Sequence, residues 1–129
     1  MERSGQTILL LEDEPLILMD LEFAAEELGC LPLCASDVER ALSLIEGHPE
    51  VDAAVLDVSL KDRETCIPVA RALQERGIPF LLHSGDLDRK DENVRELDAM
   101  LIAKPADAAE VIGASLRLTA QAAREDEEV

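Results

Sequence analysis

Apolar residues in this chain gather in short unbroken runs, and between the runs they recur every three or four positions. Ile8 to Leu11 is the first run and reads as a central strand covered on both faces. Pro15 then opens a helix at a position where its missing N–H costs nothing. Ile17, Leu21, Ala24, Ala25 and Leu28 form the inward stripe of that helix, and Gly29 stops it. Leu31 to Ala35 is a second strand. Ser36 with Glu39 has capping-box spacing and starts a helix with Val38, Ala41, Leu42 and Ile45 inward, ending over Gly47 to Glu50. Val51 to Leu56 is a third strand, followed by a polar loop over Ser59 to Glu64. The next helix carries Pro68 in its first turn, turns Val69, Ala70 and Leu73 inward, and ends at Gly77. Ile78 to His83 and Ala99 to Ala103 are the fourth and fifth strands, and a last helix after Pro105 shows Ala108, Val111, Ile112, Ser115 and Leu116 on one face. One more helix is expected between Gly85 and Asp98, where only Leu87, Val94 and Leu97 are strongly apolar. At about 25 cal/mol per Å² of buried apolar surface, so few anchors make it the least stable element and the natural one to move.

Strands alternating with helices predict an α/β architecture. Five βα units with right-handed crossovers predict a doubly wound (βα)5 fold, a parallel five-stranded sheet of order 2-1-3-4-5 with its switch point between strands 1 and 3. Residues 1–122 form one domain, and 123–129 are a charge run expected to be a frayed, solvated acidic tail without fixed structure.

At 129 residues with 47% hydrophobic content, the chain has enough apolar material for one core and no room for a second domain. Its 12 Lys and Arg against 29 Asp and Glu give a formal net charge of -17. Such a surface repels phosphate backbones, which excludes nucleic acids and anionic membranes as partners. Trp and Tyr are absent and only Phe23 and Phe80 are aromatic, which argues against sites built on stacking, such as flavin platforms. Cys30, Cys34 and Cys66 lie in or beside apolar stretches without CxxC spacing and read as buried thiols of a reducing cytosol. Met1 to Gln6 lacks a signal-peptide apolar region, and no apolar run approaches the roughly 20 residues of a membrane span. A soluble, cytoplasmic protein is expected.

Four of the strand-like runs end on groups suited to phosphoryl chemistry: Glu12 and Asp13, then Asp57, then Ser84, then Lys104. In a parallel sheet these ends share one edge, so residues far apart in sequence can form one site. Close carboxylates repel one another by about 4 kcal/mol per pair at an effective dielectric near 20, so the cluster needs a counter-charge. Mg²⁺ suits it, as a hard cation that takes oxygen ligands and retains waters. Lys104 adds positive charge, and Ser84 offers a donor to a phosphoryl oxygen.

With LLLEDEP around Glu12 and Asp13, VLDVSL around Asp57, the Ser84-Gly85 pair and the Lys104-Pro105 pair, the chain resembles a bacterial two-component response regulator receiver domain of the CheY-like, flavodoxin-like fold, over almost its whole length. The resemblance implies that Asp57 is the phosphoacceptor and that Glu12, Asp13 and Asp57 hold Mg²⁺ together with the Ser59 backbone carbonyl. It implies that Ser84 is the hydroxyl switch, that Lys104 contacts the phosphate, and that the bond before Pro105 is cis. The implied phosphoryl donor is a sensor histidine kinase or a histidine phosphotransfer protein. No effector domain follows in the sequence, so output is expected through protein contacts, as shuttle, sink or allosteric regulator, by a monomer or weak homodimer. Leu16 and Phe23, apolar and off the main inward stripe of the first helix, are candidates for a docking surface or for packing against neighbouring elements.

Two departures stand out. Leu101 occupies the position three residues before the lysine where the family usually has a switch aromatic. PFLLHSGD resembles, imperfectly, the PF-x-x-ATG signature of a receiver subgroup common in alphaproteobacteria, and Asp86 stands where that subgroup has an aromatic. His83 reads as a packed strand-end residue, His48 as a loop residue, and neither has zinc-ligand spacing. The alternatives are a degenerate receiver that binds a partner without phosphorylation, and an aspartyl-phosphate hydrolase of the haloacid dehalogenase type. The hydrolase would need a second Asp where Ser59 stands.

Overall fold

The computed structural model describes residues 5–85 and 92–128, with side chains over 5–85 and 93–121. The strands are β1 (Thr7–Leu11), β2 (Leu31–Ala35), β3 (Val51–Asp57), β4 (Phe80–Ser84) and β5 (Met100–Ala103). The helices are α1 (Pro15–Glu27), α2 (Val38–Gly47), α3 (Ile67–Glu75), α4 (Glu92–Arg95) and α5 (Ala108–Glu128). All strand pairs are parallel and the order is β2-β1-β3-β4-β5, as expected for the doubly wound fold.

The sheet separates two apolar cores by the alternation of side chains along each strand. Leu9, Leu11, Leu56 and Leu82 face α2 and α3. Ile8, Leu10, Val55 and Leu81 face α1 and α5. Each fully buried leucine or isoleucine contributes about 1.5–3 kcal/mol relative to exposure, which is what holds helices on both faces. Every residue of β1 and β4 is buried, whereas the edge strands leave Leu31 and Met100 exposed.

Most helix boundaries follow the punctuation in the sequence. Pro15 is the first residue of α1, and Gly29, at φ 80°, lets the chain leave it. Pro68 lies in the first turn of α3, and Gly77 at φ 69° closes it while Ile78 donates to the Leu73 carbonyl.

Several expectations need correction. The cap of α2 is Asp37, whose carboxylate accepts from the Arg40 amide at 2.7 Å, and not Ser36 in a box with Glu39. Asp37 stands directly before the first helical residue, so its oxygen reaches the free amide three residues on and Glu39 falls one place short of the reciprocal bond. In α2 Leu44 joins Ala41 and Ile45 in the core, and Leu42 is only half-buried. In α1 Leu28 is exposed, because the chain is already turning at Gly29. Strand β4 begins at Phe80 and not Ile78: Ile78 is bonded to α3, and Pro79 contributes only its carbonyl, to Ala54. Helix α4 is described over Glu92–Arg95, with Val94 and, just beyond it, Leu97 buried, and Asp98 at φ 50° leads into β5. Leu87 and Asp86 lie outside the described residues. The backbone of α5 stays helical to Glu128, past residue 122, through the good helix formers Gln121, Ala122 and Ala123.

Candidate functional site

The ladder of β1 runs one bond beyond the strand, with the Glu12 amide donating to the Ala35 carbonyl at 3.1 Å, and this fixes Glu12 at the carboxyl edge of the sheet. Leu11 is in register with Leu56 of β3, so Glu12 meets Asp57, the last residue of its own strand. Both carboxylates are almost fully buried, at 1% and 4% exposure, while Asp13 is half-buried at the rim. One oxygen from each of Glu12, Asp13 and Asp57 falls within 4.8 Å of the others.

Lys104 follows β5 and crosses to these acids over Ser84, whose carbonyl accepts from the Lys104 amide at 2.8 Å. The Lys104 ammonium lies 3.1 Å from Glu12 Oε2 and 3.2 Å from Asp57 Oδ1. Glu12 Oε1 also accepts from the backbone amide of Glu14 at 3.2 Å, a contact that sequence reasoning did not anticipate. The bond between Lys104 and Pro105 is cis.

Among the described residues three acids face one amine, which leaves this part of the site short of positive charge. Burial, and then the neighbouring Glu12 carboxylate, push the Asp57 carboxyl up to about 8, and Lys104 only partly opposes them. Lys104 is pulled down by its own burial, yet Asp57 and Glu12 outweigh that and hold it above the usual lysine range. A hard divalent cation suits a cluster of this composition: it would meet oxygen donors only, and it would restore the charge that Asp57 lacks.

Ser84 ends β4 in full burial, and its hydroxyl meets no hydrogen-bond partner among the described residues. Ser59 lies two residues beyond Asp57 and forms a one-residue antiparallel bridge with Thr65. Between them a 3-10 turn at Lys61–Arg63 puts Asp62 and Arg63 at positive φ, 60° and 61°, which is strained for side chains of that type. Leu101 is half-buried and packs against the α2/α3 core.

His83 is the group whose surroundings the sequence did not convey. It is buried at the end of β4, and neither ring nitrogen has a hydrogen-bond partner among the described residues. Burial, and then the Lys104 charge, pull its pKa to about 4, so the imidazole is neutral at physiological pH. The sequence signal that bears on it is parity: His83 falls two residues after Leu81 and so turns to the α1/α5 side. His48 is half-buried and pairs with Glu50 at 3.0 Å, Cys30, Cys34 and Cys66 are free of disulfides, and Leu16, Met19 and Phe23 of α1 are exposed. Among the described residues no helix is long and apolar enough to cross a membrane.

Neither a protein-family model nor a curated protein sequence matches the chain. Solved structures do. A response regulator receiver protein from Sinorhizobium medicae WSM419 is 25% identical, with a TM-score of 0.81 over 92% of this chain and 98% of that one. SdrG from Sphingomonas melonis Fr1 is 35% identical, with a TM-score of 0.74 over 92% of this chain and 98% of its own. A CheY-like receiver domain from Methylobacillus flagellatus shares the fold at 22% identity, with a TM-score of 0.74 over 90% of this chain and 99% of that one. An acidic pocket at the switch point of a 2-1-3-4-5 sheet, a lysine reaching into it, and this agreement along nearly the whole length make the chain a member of the response regulator receiver domains.

Proposed function

We propose that the protein acts as a response regulator that accepts a phosphoryl group on Asp57 and signals by protein–protein contact. The donor is a phosphohistidine on a sensor histidine kinase or a histidine phosphotransfer protein. An Asp57 oxygen forms the new bond to phosphorus as the P–N bond breaks, and the donor imidazole leaves. What supports this is the convergence of Glu12, Asp13 and Asp57 around a lysine that already touches Asp57 Oδ1.

Glu12, Asp13, Asp57 and the Ser59 backbone carbonyl would hold Mg²⁺, which when bound offsets the negative charge of acids and phosphoryl group together. The chain supplies the rest. Lys104 stands where it can follow a phosphoryl oxygen, and the buried Ser84 hydroxyl, with no partner among the described residues, can donate to one. Because the Ser84 carbonyl accepts from the Lys104 amide, movement of one pulls on the other and on α4 beyond Gly85. With Leu101 at the usual aromatic position, this backbone link carries the switching. The acyl phosphate is lost by slow self-hydrolysis and not by catalytic turnover, since Ser59 stands where a hydrolase would place its second Asp.

The acidic chain acts in the cytoplasm as a monomer or weak homodimer, without nucleic acid or membrane as partner, and residues 123–129 serve as an acidic tail to the domain over 1–122. Incubation with acetyl phosphate and Mg²⁺ is expected to add one acid-stable, base-labile phosphoryl group in intact-mass spectra. Persistence of that mass gain in Asp57→Asn would overturn the assignment.

A further inference from the structure

The chain has only three lysines, Lys61, Lys90 and Lys104. Lys90 lies outside the described residues, and the other two both come to the carboxyl edge of the sheet. Lys104 is engaged by Glu12 and Asp57, which leaves Asp13, the half-buried rim acid, without an ion pair among the described residues. A cleft of about 350 Å³ opens beside Asp13, and Lys61 lines it together with Asp37, Asp62 and Glu64. Asp37 is already committed to the Arg40 amide. Lys61 is the one basic residue lining the cleft, and no ion pair holds its ammonium among the described residues.

The turn that carries Lys61 has a fixed backbone. Val58, Leu60 and Cys66 are buried on its two sides. The Leu60 amide donates to the Glu64 carbonyl at 2.9 Å, the Cys66 amide to the Val58 carbonyl at 3.0 Å, and the Glu64 amide to the Lys61 carbonyl at 3.3 Å. Asp62 and Arg63 keep their positive φ inside this frame, a strained conformation that persists only where the surroundings impose it. A fixed backbone with a flexible four-carbon stem gives the cleft beside Asp13 a mobile ammonium. An ammonium and a divalent cation repel one another, so both cannot serve one rim carboxylate at full strength.

We infer that Lys61 is the outer counter-cation of the acceptor site: it offsets Asp13 as Lys104 offsets Glu12 and Asp57, and a divalent cation entering the acidic cluster has to displace it. The inference rests on the reading of Glu12, Asp13 and Asp57 as a Mg²⁺ site, and it adds the residue that sets the concentration at which that site fills.

Mg²⁺ is titrated into the unphosphorylated, nitrogen-15-labelled full chain, and the amide shifts of Asp13 and Ser59 give Kd with no phosphoryl donor present. Lys61→Gln should tighten Mg²⁺ by about fourfold at about 10 mM salt, the effect of one charge on a dication across a water-filled cleft. The gain should shrink to less than about twofold at about 0.5 M KCl, where exposed charges are screened. Lys61→Arg keeps the charge and should bind as wild type. Arg63→Gln removes an equal charge from the same turn, outside the lining of the cleft, and should change Kd by less than about twofold. Lys61 is exposed, so these variants should melt with the wild type. Wild-type binding with an unchanged Kd in Lys61→Gln overturns the inference and leaves the metal site standing, as does tightening by Arg63→Gln that equals that of Lys61→Gln. Absence of saturable Mg²⁺ shifts in the wild type overturns the metal site and this inference with it.

Discussion

The Lys104 ammonium and Asp57 Oδ1 stand 3.2 Å apart at the carboxyl edge of the sheet, although they come from the ends of two different strands, β5 and β3. The same ammonium is 3.1 Å from Glu12 Oε2, so one cation is divided between two buried carboxylates. Neither acid is fully compensated. The imbalance governs how the site responds to mutation, to pH and to metal.

Removing the shared cation leaves two acids buried with no cation opposite among the described residues. Lys104→Met keeps most of the stem packing while deleting the charge, and breaking a buried pair in this way costs on the order of 3 kcal/mol. In metal-free buffer the loss should be smaller at pH 6 than at pH 8, because Asp57 can take up a proton at the lower pH. Urea denaturation at the two pH values measures it. Equal and small losses at both would show that Lys104 does not hold the acids together.

Stability of the metal-free protein should fall as pH rises from about 4 to about 8. Asp57 has a folded pKa raised to about 8 against an ordinary value of 3.8, so the folded state binds the extra proton in that window. Its contribution is complete below the unfolded value and is lost as pH climbs through the folded one. Asp57→Asn removes the titration, so it should raise Tm at pH 8 and flatten the dependence. Millimolar Mg²⁺ should raise the wild-type Tm at pH 8 and do less for Asp57→Asn, which has given up one charged ligand. Thermal melts across pH, with and without Mg²⁺, read all of this.

Strand ends were the most legible part of the sequence. Continuous runs such as Leu9-Leu10-Leu11 can only be buried on both faces, and the polar residue that terminates each run must then sit at the sheet edge. That is why Glu12, Asp13, Asp57, Ser84 and Lys104 could be placed from the sequence. What stayed illegible depends on choices between near-equivalent neighbours, or on packing from more than one element. Ser36 and Asp37 are adjacent and both can cap a helix, so only the backbone decides between them. Pro79 shortens β4 because Ile78 is taken by α3, a long-range competition with no local signature. The cleft that Asp13 shares with Lys61 needs the starts of α1 and α2 and the turn after β3 together before it exists.

Mutating each of the two adjacent cap candidates in turn distinguishes them. Asp37→Ala removes the carboxylate that accepts from the Arg40 amide and should cost about 1 kcal/mol. Ser36→Ala should be within about 0.5 kcal/mol of wild type, as for a surface change that touches no special feature. Chemical denaturation of the two variants separates the assignments, and the reverse order would restore the capping box.

Leu16, Met19 and Phe23 are exposed at 69%, 48% and 59%, and their spacing puts them along one side of α1. Three large apolar side chains left in solvent near the acceptor edge have the composition of a docking patch. Phe23→Ser removes the aromatic, and because that side chain is mostly in solvent it should leave Tm nearly unchanged. Phosphorylation by acetyl phosphate needs no protein contact and should proceed at the wild-type rate. Transfer from a phosphorylated histidine protein does need one, and loss of a central aromatic anchor should slow it by about tenfold or more at limiting concentration. Comparing the two donors on the same variant separates docking from chemistry. Equal rates with both donors would remove α1 from the interface, and slowing with both would place Phe23 in support of the acceptor site itself.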